Sequence, residues 1–208
     1  MTHGVHAVQH EVEHEIKHRD GHGGHTGLLD NVNKKVALLI GVMALFLAFS
    51  ETLGKSAQTG AISYNIEAAN LWSFFQAKNI RRTVVLTAAE EMAVNAPAAS
   101  ELIKASMTKQ IDSWQKVAAR YRSEPEVQEG TVELAERAKA AEKKRDTALA
   151  RYHHYGVASA AFQIGIVLAS ATVITGMIIL TWIAVGLGGL GLVFTIIGLF
   201  APHAVHLF

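Results

Sequence analysis

The chain has 208 residues, of which 50% are hydrophobic, and a formal net charge of +1 at pH 7. This near-neutral charge gives no basis for nucleic-acid binding, and the absence of cysteine excludes disulfides, thiol catalysis and cysteine metal sites. The hydrophobic residues are concentrated in long blocks that flank a charged middle segment. That distribution is typical of an integral membrane protein.

Five histidines in residues 3–18 are spaced by three, four, four and four residues. On a helix they form one stripe, so this segment is predicted to be an amphipathic helix. The stripe consists of His3, His6, His10, His14 and His18. Imidazoles one turn apart can bind zinc, nickel or copper together, so the stripe is a candidate divalent-metal or pH-sensing site; the alternative is a solvated face without a ligand. Glycine-rich residues 21–27 predict a flexible linker, and the segment ends at residue 29.

Residues 30–54 are predicted to form the first membrane span. Their apolar run, 36–49, follows Lys34 and Lys35 and extends to the roughly 20 residues that a crossing needs. Asp30 is the predicted N-cap of this helix. Glu51, near its far end, is a candidate intramembrane acid that handles protons or cations; the alternative is a carboxylate that reaches the headgroups or a partner helix.

Residues 55–154 are predicted to be a helical, coiled-coil extramembrane domain. The first span runs on into a long helix that ends at Pro97, and a third helix runs from the break at 123–130 into the second span. Between them, a second helix covers about 99–122, and its apolar stripe from Ile103 to Tyr121 is predicted to be buried. Residues 65–83 carry candidate contact residues on two helical faces, which predicts a homo-oligomer because two faces need two sets of neighbours. The candidate contacts are Glu67, Asn70, Lys78 and Arg81 on one face, with Trp72 and Phe75 on the other. Glu67 is expected to pair across helices with Lys78 or Arg81.

Residues 156–201 contain no Asp, Glu, Lys or Arg, and this stretch is about twice as long as one bilayer crossing requires. They predict two further spans, 155–175 and 178–201, joined by a tight turn and followed by a tail, 202–208. Both spans carry small residues at three-and-four spacing, including Gly165, Gly188 and Gly191. Such seams predict close helix packing in lipid, and a glycine-lined pore is the alternative.

Two stretches carry a family resemblance: Asn33-Lys-Lys-Val-Ala-Leu-Leu-Ile40, and Asn-Ile-Glu-Ala-Ala-Asn-Leu-Trp-Ser-Phe-Phe-Gln-Ala-Lys at 65–78. Together with the proline-containing break before a charged helix, they resemble a bacterial family catalogued as domain of unknown function 4337, over about residues 30–201. The resemblance implies three spans and a helical middle domain. It implies no activity, cofactor or catalytic residue, and it does not cover the histidine stripe.

The predicted fold is therefore all-α, an integral membrane protein with three transmembrane helices and a helical domain between the first two. No phosphate-binding loop, catalytic triad or metalloprotease motif occurs, so the predicted function is non-enzymatic: a structural or organising homo-oligomer in contact with membrane lipid. The alternatives are proton or divalent-metal transport, and pH or metal sensing. The predicted location is the bacterial inner membrane. Lys34 and Lys35 predict a cytoplasmic amino terminus and hence a periplasmic middle domain, whereas the basic residues before span two predict the opposite.

Overall fold

The computed structural model describes the backbone of residues 23–205 and the side chains of residues 33–205. Within this range the chain is all-helical, as predicted, and has no strand. The helices are α1 (Gly23–Asn95), α2 (Glu101–Arg122), α3 (Thr131–Thr175) and α4 (Ile178–Phe200). A 3-10 turn, Ala96–Ala98, lies between α1 and α2. Three of the described helices, α1, α3 and α4, are long and apolar enough to cross a membrane.

The helices end where the sequence places residues that interrupt a helical backbone. Pro97 follows α1 closely, and it has no backbone N–H with which to continue the helical hydrogen bonds. α3 and α4 are separated by two residues, and the first of these, Gly176, has a φ of +70°. Glycine reaches this left-handed conformation without a Cβ clash, and the turn lies at the predicted position between residues 175 and 178.

The start of α1 differs from the prediction. Residues 23–27 were expected to be part of a flexible linker, but they are helical, and Asp30 lies inside the helix and is therefore not its N-cap. Nucleating a helix is costly, whereas adding a turn to an existing helix is not. A long apolar helix can therefore extend into a glycine-containing segment that would not form a helix alone.

The chain divides into two compact units, and the first contains the described residues up to Gly54 together with 153–204. Its core is lined by small residues that allow the helices to approach closely. On α3 the buried residues of the seam are Ala158, Ala161, Gly165, Ala169 and Thr172; on α4 they are Ala184, Gly191, Thr195 and Gly198, with Gly188 half-buried. Val36 and Met43 of α1 pack into the same core.

The second unit contains residues 55–152. Its core joins α1 to α3 through Ala68, Leu71, Leu134, Ala138 and Ala141, with Trp72 and Phe75 packed against them. α2 was predicted to bury a stripe from Ile103 to Tyr121, but Ile103 is 55% exposed and the stripe is only half-buried from residue 107 onward.

Candidate functional site

A buried polar site in the second unit is centred on the Lys78 ammonium group. Its Nζ lies 3.4 Å from Glu129 Oε2 and 3.5 Å from Glu124 Oε2. The same nitrogen lies 5.5 Å from the ring centre of Phe74 and 5.8 Å from that of Tyr121, within the range of cation–π attraction. Only 8% of the Lys78 side chain is exposed, so the two carboxylates compensate a charge that would be costly to bury alone. We call these five residues the Lys78 cluster.

The loop that supplies the two glutamates, residues 123–130, is held by a buried carboxylate, that of Glu133. Glu133 accepts a hydrogen bond of 2.6 Å from Ser123 Oγ and another of 3.3 Å from the backbone N–H of Glu124. A Cβ at Gly130 would collide with the Glu133 carboxylate and the backbone of Ser123, so the loop closes only around glycine. The loop also contains Gln128 with a φ of 57°, a left-handed conformation that is uncommon outside glycine.

The hydrogen bond from Ser123 holds the pKa of Glu133 below its ordinary value of 4.5. Burial opposes this shift, while the hydrogen bond from the Glu124 N–H and the positive charge of Lys78 add to it. Glu133 is therefore ionised at neutral pH and binds the two ends of the loop together.

The aromatic part of the 65–78 motif also makes its contacts inside the second unit. Trp72 donates a hydrogen bond of 2.9 Å from Nε1 to Glu142 Oε1 on α3, and its ring meets Phe75 edge to face at 5.4 Å. Trp72, Phe75 and Lys78 thus attach α1 to α3 and to the loop. The expected pairing of Lys78 with Glu67 is not found within the chain, since Lys78 pairs with Glu124 and Glu129 instead.

The remaining contact residues predicted in this stretch point outward. Glu67, Asn70 and Arg81 are exposed. They lie beside an outer face of α1 on which four large apolar side chains are also exposed. These are Ile62, Ile66, Ile80 and Val84, between 55% and 64% exposed, and we call them the outer face of α1. Their spacing of four, fourteen and four residues keeps them on one side of the helix.

In the first unit the three predicted glycines have different surroundings. A Cβ on Gly165 would collide with Met43, one on Gly191 would lie 2.9 Å from the Phe162 ring, and one on Gly188 would lie 3.4 Å from the end of Met43. Side chains from neighbouring helices therefore fill the seam at these positions. At these positions the seam of one chain is therefore packed with side chains and is not an open channel.

Glu51 is exposed on α1, and its Oε1 accepts a hydrogen bond of 3.2 Å from Gln163 Nε2 on α3. One residue earlier, the buried Ser50 hydroxyl lies 3.0 Å from Thr195 Oγ1. Because Thr195 donates to the Gly191 carbonyl oxygen at 2.8 Å, Ser50 is the donor to Thr195. Hydroxyls join α1 to α4 in the core, whereas the carboxylate lies outside it.

The histidine stripe, His3, His6, His10, His14 and His18, lies outside the described residues. Among the side chains from residue 33 to residue 205, no three His, Asp or Glu residues are arranged to hold a metal ion. The Lys78 cluster, with one ammonium between two carboxylates and two rings, is suited to holding a loop in place.

Comparison with known proteins identifies the family. The model of the family described as a domain of unknown function, DUF4337, matches residues 32–201. The chain belongs to the DUF4337 family. The match confirms the resemblance drawn from the sequence and includes both compact units. No curated protein and no solved structure was found to match the chain.

For this DUF4337 protein, sequence reasoning missed the partners of the buried polar groups. Lys78 and Glu124 are 46 residues apart, and Trp72 and Glu142 are 70 residues apart. Helical periodicity relates only residues within a few turns, so it contains no signal for such pairs. The available signal was the coincidence of Lys, Trp and Phe on a helix already predicted to need neighbours.

Proposed function

We propose that this DUF4337 protein is a three-span, homo-oligomeric protein of the bacterial inner membrane with a structural or organising role rather than an enzymatic one. Its first unit inserts into the bilayer, and its second unit presents an antiparallel coiled-coil hairpin outside it. The main observation in favour of an oligomer is the outer face of α1, which is apolar although it lies on the opposite side of the helix from the buried residues.

Membrane insertion is supported by the surface of the first unit. The core contains small residues, whereas large apolar side chains point outward: Leu38 and Leu45 are each 70% exposed, and Trp182 is 72% exposed. In water such a surface would be an aggregation hazard, whereas in hydrocarbon it is the expected exterior. Hydroxyls of the core bond to one another or to backbone carbonyls, as a medium without water requires.

The coiled coil is supported by the spacing of buried positions in the second unit. On α1, Ala61, Ala68, Leu71, Phe75 and Lys78 turn inward, at intervals of three, four or seven residues. On α3 the buried positions 134, 138 and 141 follow the same rule. This is the heptad spacing that keeps one seam facing a partner helix along its whole length.

A second copy of the chain is the occupant that best fits the outer face of α1. Copies inserted in one membrane have the same orientation, so their α1 helices run parallel and each apolar residue meets its own counterpart. Between Ile66 and Ile80 on this face lie Ala69, Ser73 and Ala77, which are small and uncharged. Parallel copies can therefore approach closely along this line, which contains no charged residue between Ile66 and Ile80.

Disulfide trapping tests this arrangement. The natural chain has no cysteine, so single-cysteine variants have no background. A disulfide requires Cα atoms within about 7 Å, and a parallel α1 pair therefore predicts rapid dimer formation by Ile66→Cys and Ile80→Cys. Val127→Cys, at an equally exposed loop position, is the control and should remain monomeric on denaturing gels. Equal cross-linking of all three variants would show collision rather than a specific interface.

We also propose, from Lys34 and Lys35, that the middle unit lies in the periplasm. Cysteines introduced at exposed positions of α2, such as Lys109→Cys, test this with a membrane-impermeant thiol reagent. Labelling of cells with a permeable outer membrane but an intact inner membrane is expected. Labelling only after the inner membrane is broken would place the unit in the cytoplasm.

Proton or cation handling is the second candidate function, and the hydrogen bond between Glu51 and Gln163 is the observation that favours it. A carboxylate in an otherwise apolar helical segment is a frequent element of ion pathways. Because Glu51 is exposed in one chain, an enclosed path at this residue would have to form between copies.

A further inference from the structure

A groove in the second unit, between α1 and α3, is lined on one side by basic side chains. It has a volume of about 410 Å³, and its charged lining residues are Lys143, Lys144 and Arg151 of α3. Tyr64 of α1 forms the opposite wall, and the Lys144 Nζ lies 5.7 Å from the centre of its ring. The volume is that of a site for a small molecule rather than a single ion.

No acidic side chain lines this groove, and the nearby acids on α3 have other partners. Glu142 accepts the hydrogen bond from Trp72, and Asp146 pairs with Arg145 at 2.9 Å. Residues 56–66 of α1, which run past the groove, contain no charged residue. Among the described residues, the three groove cations make no salt bridge, so their charge is available to an anionic ligand.

The arrangement suits a phosphate group with an attached body. Arginine binds phosphate oxygens in pairs, and lysine contributes a compact charge. Lys143 and Arg151 are eight residues apart, which is about 12 Å along a helix, so the cations extend beyond the width of one free phosphate. The Tyr64 ring adds an apolar wall against which a glycerol backbone can pack.

The position of the groove along the chain indicates the source of the phosphate. Arg151 is the last Asp, Glu, Lys or Arg before the predicted membrane-spanning stretch 156–201, and α3 is continuous across this point. We propose that the groove binds the phosphate-bearing headgroup of an anionic membrane lipid, with Lys143, Lys144 and Arg151 as its ligands. This assignment rests on the membrane insertion proposed above.

The test uses the full chain in a neutral detergent, with phosphatidylglycerol and phosphatidylcholine as probes and native mass spectrometry to measure retained lipid. The K143Q/K144Q/R151Q variant is compared with K109Q/K116Q/R122Q, which removes the same charge from exposed positions of α2. Phosphatidylglycerol should bind the natural chain and the α2 variant alike, and the groove variant at least tenfold more weakly. K143R/K144R/R151K, which keeps the charge, should retain binding.

Three outcomes would overturn the proposal: equal retention of phosphatidylcholine, an equal loss in the α2 variant, or equally tight binding of inorganic phosphate or glycerol phosphate, which would assign the groove to a soluble ligand. Thermal unfolding of each variant shows whether a loss arises from misfolding. Alkaline extraction of native membranes tests insertion separately. Release of the natural chain by alkali would reject insertion, whereas selective phosphatidylglycerol binding in detergent depends only on the groove.

Discussion

Replacing single glycines of α4 by alanine tests the packing of the first unit, because the glycines share a helix but not their surroundings. A Cβ on Gly189 would meet nothing within 4 Å, whereas a Cβ on Gly191 would lie 2.9 to 3.0 Å from three atoms of the Phe162 ring. That ring is only 1% exposed and stacks on Phe46 at 6.0 Å, so it has little room to move. Gly188 is intermediate, since its nearest neighbour is the flexible end of Met43.

Each substitution replaces a glycine in a helix by alanine, and the lower backbone flexibility of alanine stabilises the folded protein by about 0.5–1 kcal/mol. Only Gly191→Ala adds an overpacking cost of about 1–3 kcal/mol. Since the helix gain is shared, Gly191→Ala should be less stable than Gly189→Ala by about 1–3 kcal/mol, and Gly188→Ala should lie close to Gly189→Ala.

Unfolding by increasing mole fraction of sodium dodecyl sulfate in mixed micelles, followed by circular dichroism, measures these differences. In a double-mutant cycle, Phe162→Leu should restore at least about 1 kcal/mol to Gly191→Ala, because the smaller side chain leaves space for the new methyl group. Equal stability of Gly191→Ala and Gly189→Ala would refute the described contact between α3 and α4.

The remaining predictions concern the polar groups. In chemical denaturation, Lys78→Gln should lower the unfolding free energy by about 1–3 kcal/mol, which is less than for a fully buried ion pair because the carboxylate partners of Lys78 are partly exposed. Arg81→Gln, at an exposed position, is the control and should change the unfolding free energy by less than about 0.5 kcal/mol. Folding lowers the pKa of Glu133, so the stabilisation that its ionised form provides is present above pH 4.5 and is lost as the pH falls through the lower folded value. Ser123→Ala should therefore weaken the dependence of the melting temperature on acid pH. An unchanged pH profile in this variant would show that Glu133 does not cause the acid dependence. Glu51→Gln should leave proton flux across liposomes at the level of the natural chain; a flux that this substitution abolishes would favour transport over a structural role.

The helical architecture was largely accessible from the sequence because each signal was local. Apolar length predicted the three candidate spans, Pro97 predicted the end of α1, and small-residue spacing identified the residues that are buried in the first unit. Local signals also had limits. Spacing placed Gly188 and Gly191 on one seam, but only the structure shows that the Phe162 ring contacts one of them and the flexible Met43 the other.

The polar site was not accessible in this way. Periodicity put Lys78 on a face with Glu67, whereas its partners come from a loop about fifty residues later, and that loop is shaped by the positions of Ser123, Gly130 and Glu133. The prediction of where α1 begins was wrong for the opposite reason. Glycine content predicted a linker locally, but the adjoining long helix extends through residues 23–27.

The mass of the particle in a native-like bilayer tests the central claim of self-association most directly. A styrene–maleic acid polymer extracts the chains with their surrounding lipid, and native mass spectrometry then measures the mass of the particle. The protein mass should be two or more times 22.4 kDa. The I66E/I80E variant, which places charge on the outer face of α1, should shift the distribution toward single chains, while V127E should not. A natural chain that is uniformly 22.4 kDa under these conditions would contradict the account.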